Sequence, residues 1–146
     1  MADVVDVATR SRMMAGIRGR DTAPEVALRR ALHRAGFRFR LHVAELPGKP
    51  DVVLPRWRAA VLVHGCFWHR HVDCRYATNP GTRPDFWATK FAGNVARDKR
   101  NHDALLDLGW RAATVWECAL KKIKVDDTVV ELTEWLRSDR VTLEIG

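Results

Sequence analysis

The chain has 146 residues and a mass of 16.7 kDa, 47% apolar and 29% charged, which points to one globular domain and excludes a disordered or collagen-like chain. No run of 18 apolar residues occurs and no basic region precedes an apolar block at the N-terminus, so the expectation is a soluble, cytoplasmic protein with no membrane partner. The net charge is +7, with nine arginines against four acids in residues 1–40, a distribution that favours a polyanion as partner.

Residues 1–21, with Met13, Met14 and Ile17 set among arginines, form an arm or short helix apart from a single domain over residues 22–146. Thr22 followed by Glu25 is a capping-box pattern, Pro24 suits a first turn, and Leu28, Leu32 and Ala35 recur at helical spacing until Gly36. Phe37, Phe39 and Leu41 alternate with Arg38, Arg40 and His42, which predicts a half-buried strand. A turn at 46–50 leads into the short apolar strands 52–54 and 59–63, both suited to burial on two faces. Residues 64–84 have no periodicity and form a loop too long for simple connection. A long helix runs from Pro84 to Leu108, with Phe91, Val95, His102 and Leu105 on the inward stripe. A buried strand at 112–116 and an amphipathic helix with Val129, Val130, Leu132, Trp135 and Leu136 inside complete an α-β-β-β-α-β-α order, an α/β fold with a mixed sheet flanked by helices.

Several groups of residues carry chemistry. Three cysteines cannot close a disulfide framework. Cys66, His71 and Cys74 lie within nine residues, and Cys118 ends a later strand, a Cys3His set suited to a structural Zn2+, with His69 as a competitor of His71 and three buried thiols as the plain alternative. Asp51 opens a strand after Pro50, where a carboxylate is a rigid ligand for a hard cation such as Mg2+. Asp98 falls on the inward stripe of the long helix and needs a cation, a histidine or several donors there. His64 and His69 are suited to taking a proton from water near neutral pH. Phe67-Trp68 and Phe86-Trp87 either pack under the loop or wedge between bases.

The runs Gly48-Lys49-Pro50-Asp51, Val63-His64-Gly65-Cys66-Phe67-Trp68-His69, Phe86-Trp87 with Asn94-Val95-Ala96-Arg97-Asp98, and Val115-Trp116-Glu117-Cys118-Ala119-Leu120 closely resemble the very short patch repair (Vsr) DNA mismatch endonucleases. Ser11-Arg12-Met13-Met14 and Asp21-Thr22-Ala23-Pro24-Glu25 are similar to that family as well. The resemblance implies a restriction-endonuclease-like αβββαβ core, a structural zinc and Mg2+-dependent nicking of duplex DNA 5′ to the thymine of a T:G mismatch. By matching position it implies that Asp51 binds Mg2+ together with the Val63 backbone carbonyl, and that His69 is the general base. His64 and Asp98 then support the water network, and Glu25 is an outer metal residue. It further implies a wedge of Phe67, Trp68 and Trp87, an arm carrying Met14, and DNA contacts from Lys90 and Asn94. Coupling to mismatch-repair proteins and a cytosine-5 methyltransferase, a monomeric state and a place on the bacterial nucleoid belong to the same expectation.

The sequence departs from that pattern at three points. No acid lies between Asp51 and Asp73, Val63 stands where the family commonly has threonine, and His71-Val72-Asp73-Cys74 is one residue longer than the usual zinc-loop spacing. A less selective nicking nuclease and a zinc-stapled mismatch-binding module without catalysis are the competing readings.

Overall fold

The computed structural model describes residues 21–146; Met14 and the expected arm up to residue 20 lie outside the described residues. Helix α1 spans Ala23–Arg34. Its start is fixed by Glu25, whose Oε2 accepts the N–H groups of Asp21 (2.6 Å) and Thr22 (3.3 Å), donors that an N-terminal turn otherwise leaves unpaired. Its end is a Schellman motif: Gly36 has φ +95°, its N–H donates to the His33 carbonyl (3.0 Å), and Phe37 N–H donates to the Leu32 carbonyl (3.1 Å). Leu32 and Phe37 share one buried cluster as a result.

This cap shortens the strand expected at 37–41. Only Arg40–Leu41 (β1) pair with Val52–Leu54 (β2), in antiparallel register. Phe37 is taken up by the helix cap, and His42 at φ +50° turns the chain away after Leu41. β2 continues through a 3-10 turn, Pro55–Trp57, into antiparallel β3, Ala59–His64. The long helix α2, Pro84–Asp107, then carries the chain to β4, Arg111–Trp116, which lies parallel to β3 from Ala59↔Arg111 to His64↔Trp116. A 3-10 turn, Glu117–Leu120, precedes helix α3, Val125–Leu136. A strand that the sequence did not announce follows: β5, Thr142–Ile145, pairs parallel to β4 and completes a five-stranded mixed sheet in the order β1-β2-β3-β4-β5. Its four residues are too few to show periodicity, and it is held in part by Trp116 Nε1, which donates to Glu144 Oε2 at 2.8 Å.

Strand alternation divides the core into two layers. Leu28, Leu32, Val61, Val115, Leu132 and Trp135 belong to the larger cluster, which joins α1 and α3 to one sheet face. Ala60, Leu62, Ala112 and Leu105 form the smaller one under α2. Two inward positions differ from expectation. Val95 is exposed and Asn94 is buried in its place, and Val130 is exposed while Thr128 turns inward. In both cases a polar side chain gains a defined partner, since Asn94 Nδ2 donates to the Trp68 carbonyl (3.0 Å) and Thr128 Oγ1 to the Ala119 carbonyl (2.6 Å). Among the described residues no helix is long and apolar enough to cross a membrane.

Arg111 locks the C-terminal third in place. Its guanidinium donates to the carbonyls of Trp57, Trp135, Leu136, Ser138 and Arg140 and lies 4.4 Å over the Trp135 ring. The helix end of α3 is thereby capped by a cation, which its negative dipole favours. Arg111→Lys keeps the charge but removes the planar fork, and is expected to lower unfolding stability by about 2 kcal/mol with an unchanged denaturant slope. A urea midpoint equal to that of the wild type would show that the fork adds nothing.

Candidate active site and metal centre

Asp51 enters β2 from a turn that only a particular backbone permits. Gly48 has φ +77°, and a Cβ there would lie 3.1 Å from Asn101 Cβ, so neither the conformation nor the space suits a side chain. The Asp51 carboxylate emerges beside β3, where its Oδ2 accepts the Val63 N–H at 2.7 Å. Burial is the main influence on it; the Val63 bond opposes this and the charge of Glu25 reinforces it, so the carboxyl is pushed up to about 7. Two carboxylates crowded at a half-buried strand end form a donor set that fits a hard divalent cation.

His42 joins this group, although the strand pattern marked it only as a polar residue between apolar ones. Its N–H donates to the Asp51 carbonyl (3.2 Å), and its ring lies with Nδ1 4.0 Å from Asp51 Oδ1 and Nε2 3.9 Å from Glu25 Oε2.

Val63 is followed by His64, so one peptide unit links the carboxylate to the imidazoles. His64 ends β3 on the α2 face and stacks on His69, with ring centres 4.0 Å apart and planes 6° apart. Burial, with help from the neighbouring His69, pushes His64 down to about 4, so it is neutral near pH 7. His69 is set by a turn in which its N–H donates to the Gly65 carbonyl (3.0 Å), and its Nδ1 lies 2.6 Å from Asp98 Oδ2 on α2. An ionised carboxylate only accepts, so Nδ1 carries the proton and Nε2 presents a lone pair.

The parallel register places the four zinc candidates together. His64 and Trp116 are paired across β3 and β4, and Cys66 and Cys118 each follow two residues later, at the same end of the sheet. The loop returns His71 and Cys74 to them, and the ligand atoms of all four lie within 4.8 Å of one another. His71 Nδ1 is 3.6 Å from Cys66 Sγ and 3.5 Å from Cys118 Sγ. Zinc bonds of about 2.3 Å to sulfur and 2.0–2.1 Å to nitrogen, at a tetrahedral angle, put S and N about 3.6 Å apart, so the set fits that ion. Asp73 adopts φ +56° in the turn that leads to Cys74. None of the three cysteines is in a disulfide, and burial pushes the Cys66 thiol up to about 12.

Phe67, Trp68, Trp87 and Phe91 form one aromatic cluster with centre distances of 5.0–5.9 Å, extended by Phe86 on the exposed side. Arg70 braces it from below, over Phe91 at 4.1 Å, and donates to the carbonyls of Phe67, Ala77 and Thr78 and to Asn79 Oδ1. Nothing in the sequence pattern marked Arg70, because a lone arginine in a basic chain carries no signal. Lys90, half-buried, shares the helix face of Trp87. Asn94 is buried behind Trp68, its amide spent on the Trp68 carbonyl and its Oδ1 accepting from Arg97 (2.8 Å).

A family model described as DNA mismatch endonuclease Vsr matches residues 2–76. The chain is 43% identical over 148 aligned positions to the DNA mismatch endonuclease Vsr of Escherichia coli (strain K12), covering 99% of this chain and 94% of that one. It is 46% identical to the type II nicking enzyme V.XorIIP of Xanthomonas oryzae pv. oryzae (84% and 90% covered), and 39% identical to V.NmeAIP of Neisseria meningitidis (83% and 86%). The chain belongs to the Vsr family. It is therefore a DNA endonuclease, a phosphodiester hydrolase of DNA mismatch repair. In this Vsr-family chain the carboxylate, the stacked imidazoles and the aromatic cluster occupy neighbouring positions at one end of β3.

The crowding at Asp51 has a thermodynamic sign. A carboxyl raised from 3.8 to about 7 on folding lets the native state hold its proton where the unfolded chain has lost it, so this contribution favours the fold at pH 4 and is lost as pH rises to 7. Asp51→Asn, in magnesium-free buffer, is expected to match the wild-type melting temperature near pH 4 and to exceed it by several degrees above pH 7. Parallel Tm–pH curves for the two proteins would contradict this.

Proposed function

We propose that this endonuclease nicks duplex DNA 5′ to the thymine of a T:G mismatch left by deamination of 5-methylcytosine, in very short patch repair, with Mg2+ at Asp51. The observation that carries the reading is the series of contacts at the end of β3, in which the Asp51 carboxylate accepts the Val63 N–H, the next residue His64 stacks on His69, and His69 Nδ1 meets Asp98 Oδ2, with an aromatic cluster on the adjoining loop. Asp51 and the Val63 backbone carbonyl would hold the ion, with Glu25 in support. Bound Mg2+ supplies charge neutralisation at a non-bridging phosphate oxygen and acidifies water. His69 Nε2 takes the proton from the attacking water, while Asp98 fixes the tautomer that makes Nε2 a base and stabilises the imidazolium that results. His64, kept neutral by burial, adds no second positive charge to the stacked pair. Its ring instead limits the motion of His69.

Phe67, Trp68 and Trp87 serve as the wedge, and Asn94 acts through Trp68 by holding its carbonyl. Unstacking a base step costs a few kcal/mol, least where pairing is already poor, so a wobble pair opens most readily. Lys90 and the Met14 arm supply further DNA contacts. A single chain suffices for a single nick, in a cytoplasmic setting where mismatch-repair proteins and a cytosine-5 methyltransferase act on the same DNA.

The test is a nicking assay on end-labelled duplexes, T:G mismatched or fully paired, with Mg2+ present or omitted. The wild type nicks only the mismatched strand and only with Mg2+, Asp51→Ala loses the nick, and Trp68→Ala loses preference for the mismatch by about tenfold or more while its Tm stays near wild type. Equal cutting of both duplexes removes the T:G assignment, and binding without a nick removes the catalytic one.

Cys66, His71, Cys74 and Cys118 hold a structural Zn2+ in this reading, closing the loop that carries Phe67, Trp68 and His69. Metal analysis is expected to return one zinc per chain, and Cys118→Ser to lose it together with nicking. Zinc-free protein with full activity would contradict the assignment.

A further inference from the structure

We propose that Asp21, Glu25 and His42 form a divalent-cation subsite, separate from the Asp51–Val63 position, that prefers a nitrogen-tolerant ion such as Mn2+ to Mg2+. Their ligand atoms lie within 4.8 Å of one another. The independent observation is His42 itself: its side chain is only 9% exposed, and among the described residues its buried Nε2 has no partner nearer than Asp21 Oδ1 (3.5 Å) and Glu25 Oε2 (3.9 Å), at which it is aimed. A buried imidazole nitrogen left in that state is costly, and the two side chains it faces are both carboxylates.

The arrangement is pinned from each side. His42 adopts φ +50°, a conformation uncommon for a non-glycine residue, and its N–H donates to the Asp51 carbonyl, so the ring has little freedom to turn away. Glu25 Oε2 is fixed by the N–H groups of Asp21 and Thr22. Metal–ligand bonds of about 2.0–2.2 Å put neighbouring ligand atoms about 3 Å apart and opposite ones about 4.3 Å apart, a range that brackets the 3.5 and 3.9 Å found here. Nδ1 of the same ring faces Asp51 Oδ1 at 4.0 Å, which would let an ion at Nε2 act on the Asp51 carboxylate through the imidazole. Arg29 is the cation that now meets Asp21, through Nη1 at 2.7 Å on Oδ1, and a bound ion would displace it. An imidazole among carboxylates suits borderline ions, whereas Mg2+ favours oxygen alone.

The subsite rests on the fold and not on the reaction. Mn2+ is titrated into the full-length, zinc-loaded protein without DNA, and binding is followed by the loss of the free-ion EPR signal and by nitrogen modulation in the spin echo. The wild type is expected to bind Mn2+ with nitrogen modulation that persists in Asp51→Asn and in His69→Asn. His42→Gln is expected to abolish the modulation and weaken that binding at least about tenfold, and Arg29→Gln to strengthen it. Unchanged modulation and affinity in His42→Gln, or loss of all Mn2+ in Asp51→Asn, overturns the proposal. Mismatch nicking in Mg2+ alone reports separately on the proposed reaction, so either reading can fail without the other.

Discussion

The six-residue parallel register between β3 and β4 is the constraint on which the site depends. It pairs His64 with Trp116 and so delivers Cys66 and Cys118 to a common edge, although 51 residues separate them. Everything between, the loop and α2, must leave from one strand end and return to the start of the other. The loop is fastened to that edge at its beginning by Cys66 N–H on Glu117 Oε1 (3.2 Å), and by His71, whose ring stacks on Trp116 at 4.2 Å. A one-residue slip would reverse every side chain of β4 between the two faces and separate the cysteines.

Charge is distributed so that each group keeps the protonation state its position requires. On the β2 side, Glu25 and Asp51 repel each other and raise the affinity of the edge for protons or cations. On the α2 side, burial keeps His64 neutral, and the carboxylate of Asp98 gives His69 one defined tautomer. The two halves meet at Val63, whose N–H already binds Asp51 and whose successor carries the first imidazole. The contact does not depend on the Val63 side chain, because the backbone N–H makes it.

Sequence reading recovered what periodicity and rare residues encode. The helices over 23–34 and 84–107, the strands at 52–54 and 59–64, and the convergence of the three cysteines were all legible, since helix caps, short apolar runs and soft ligands are local or scarce features. Asp98 was legible as an inward carboxylate by helical spacing alone. Arg111, Arg70 and His42 were not, because each acts through carbonyls or carboxylates brought together by tertiary structure, and arginine is abundant in this chain. Val95 misled for the related reason that hydrophobicity is only a one-way guide to burial, and Asn94 took the inward place by meeting the Trp68 carbonyl. β5 was missed because a four-residue edge strand has no pattern to read.

The aromatic cluster bears on how mismatch selectivity arises. Phe67, Trp68, Trp87 and Phe91 already pack edge to face or tilted, and Arg70 and Asn94 tie the loop backbone at four of its residues to that packing. If these rings serve as the proposed wedge, side chains held in this way would lose little entropy on entering DNA, and the cost of insertion would fall mainly on the duplex. That cost differs between a wobble pair and a Watson–Crick pair, and a rigid wedge passes the whole difference into the binding free energy, whereas a soft one would absorb part of it by yielding. On the proposed function, the braced loop is thus a specificity device in its own right, and the metal centre that closes it contributes to discrimination without touching the base pair.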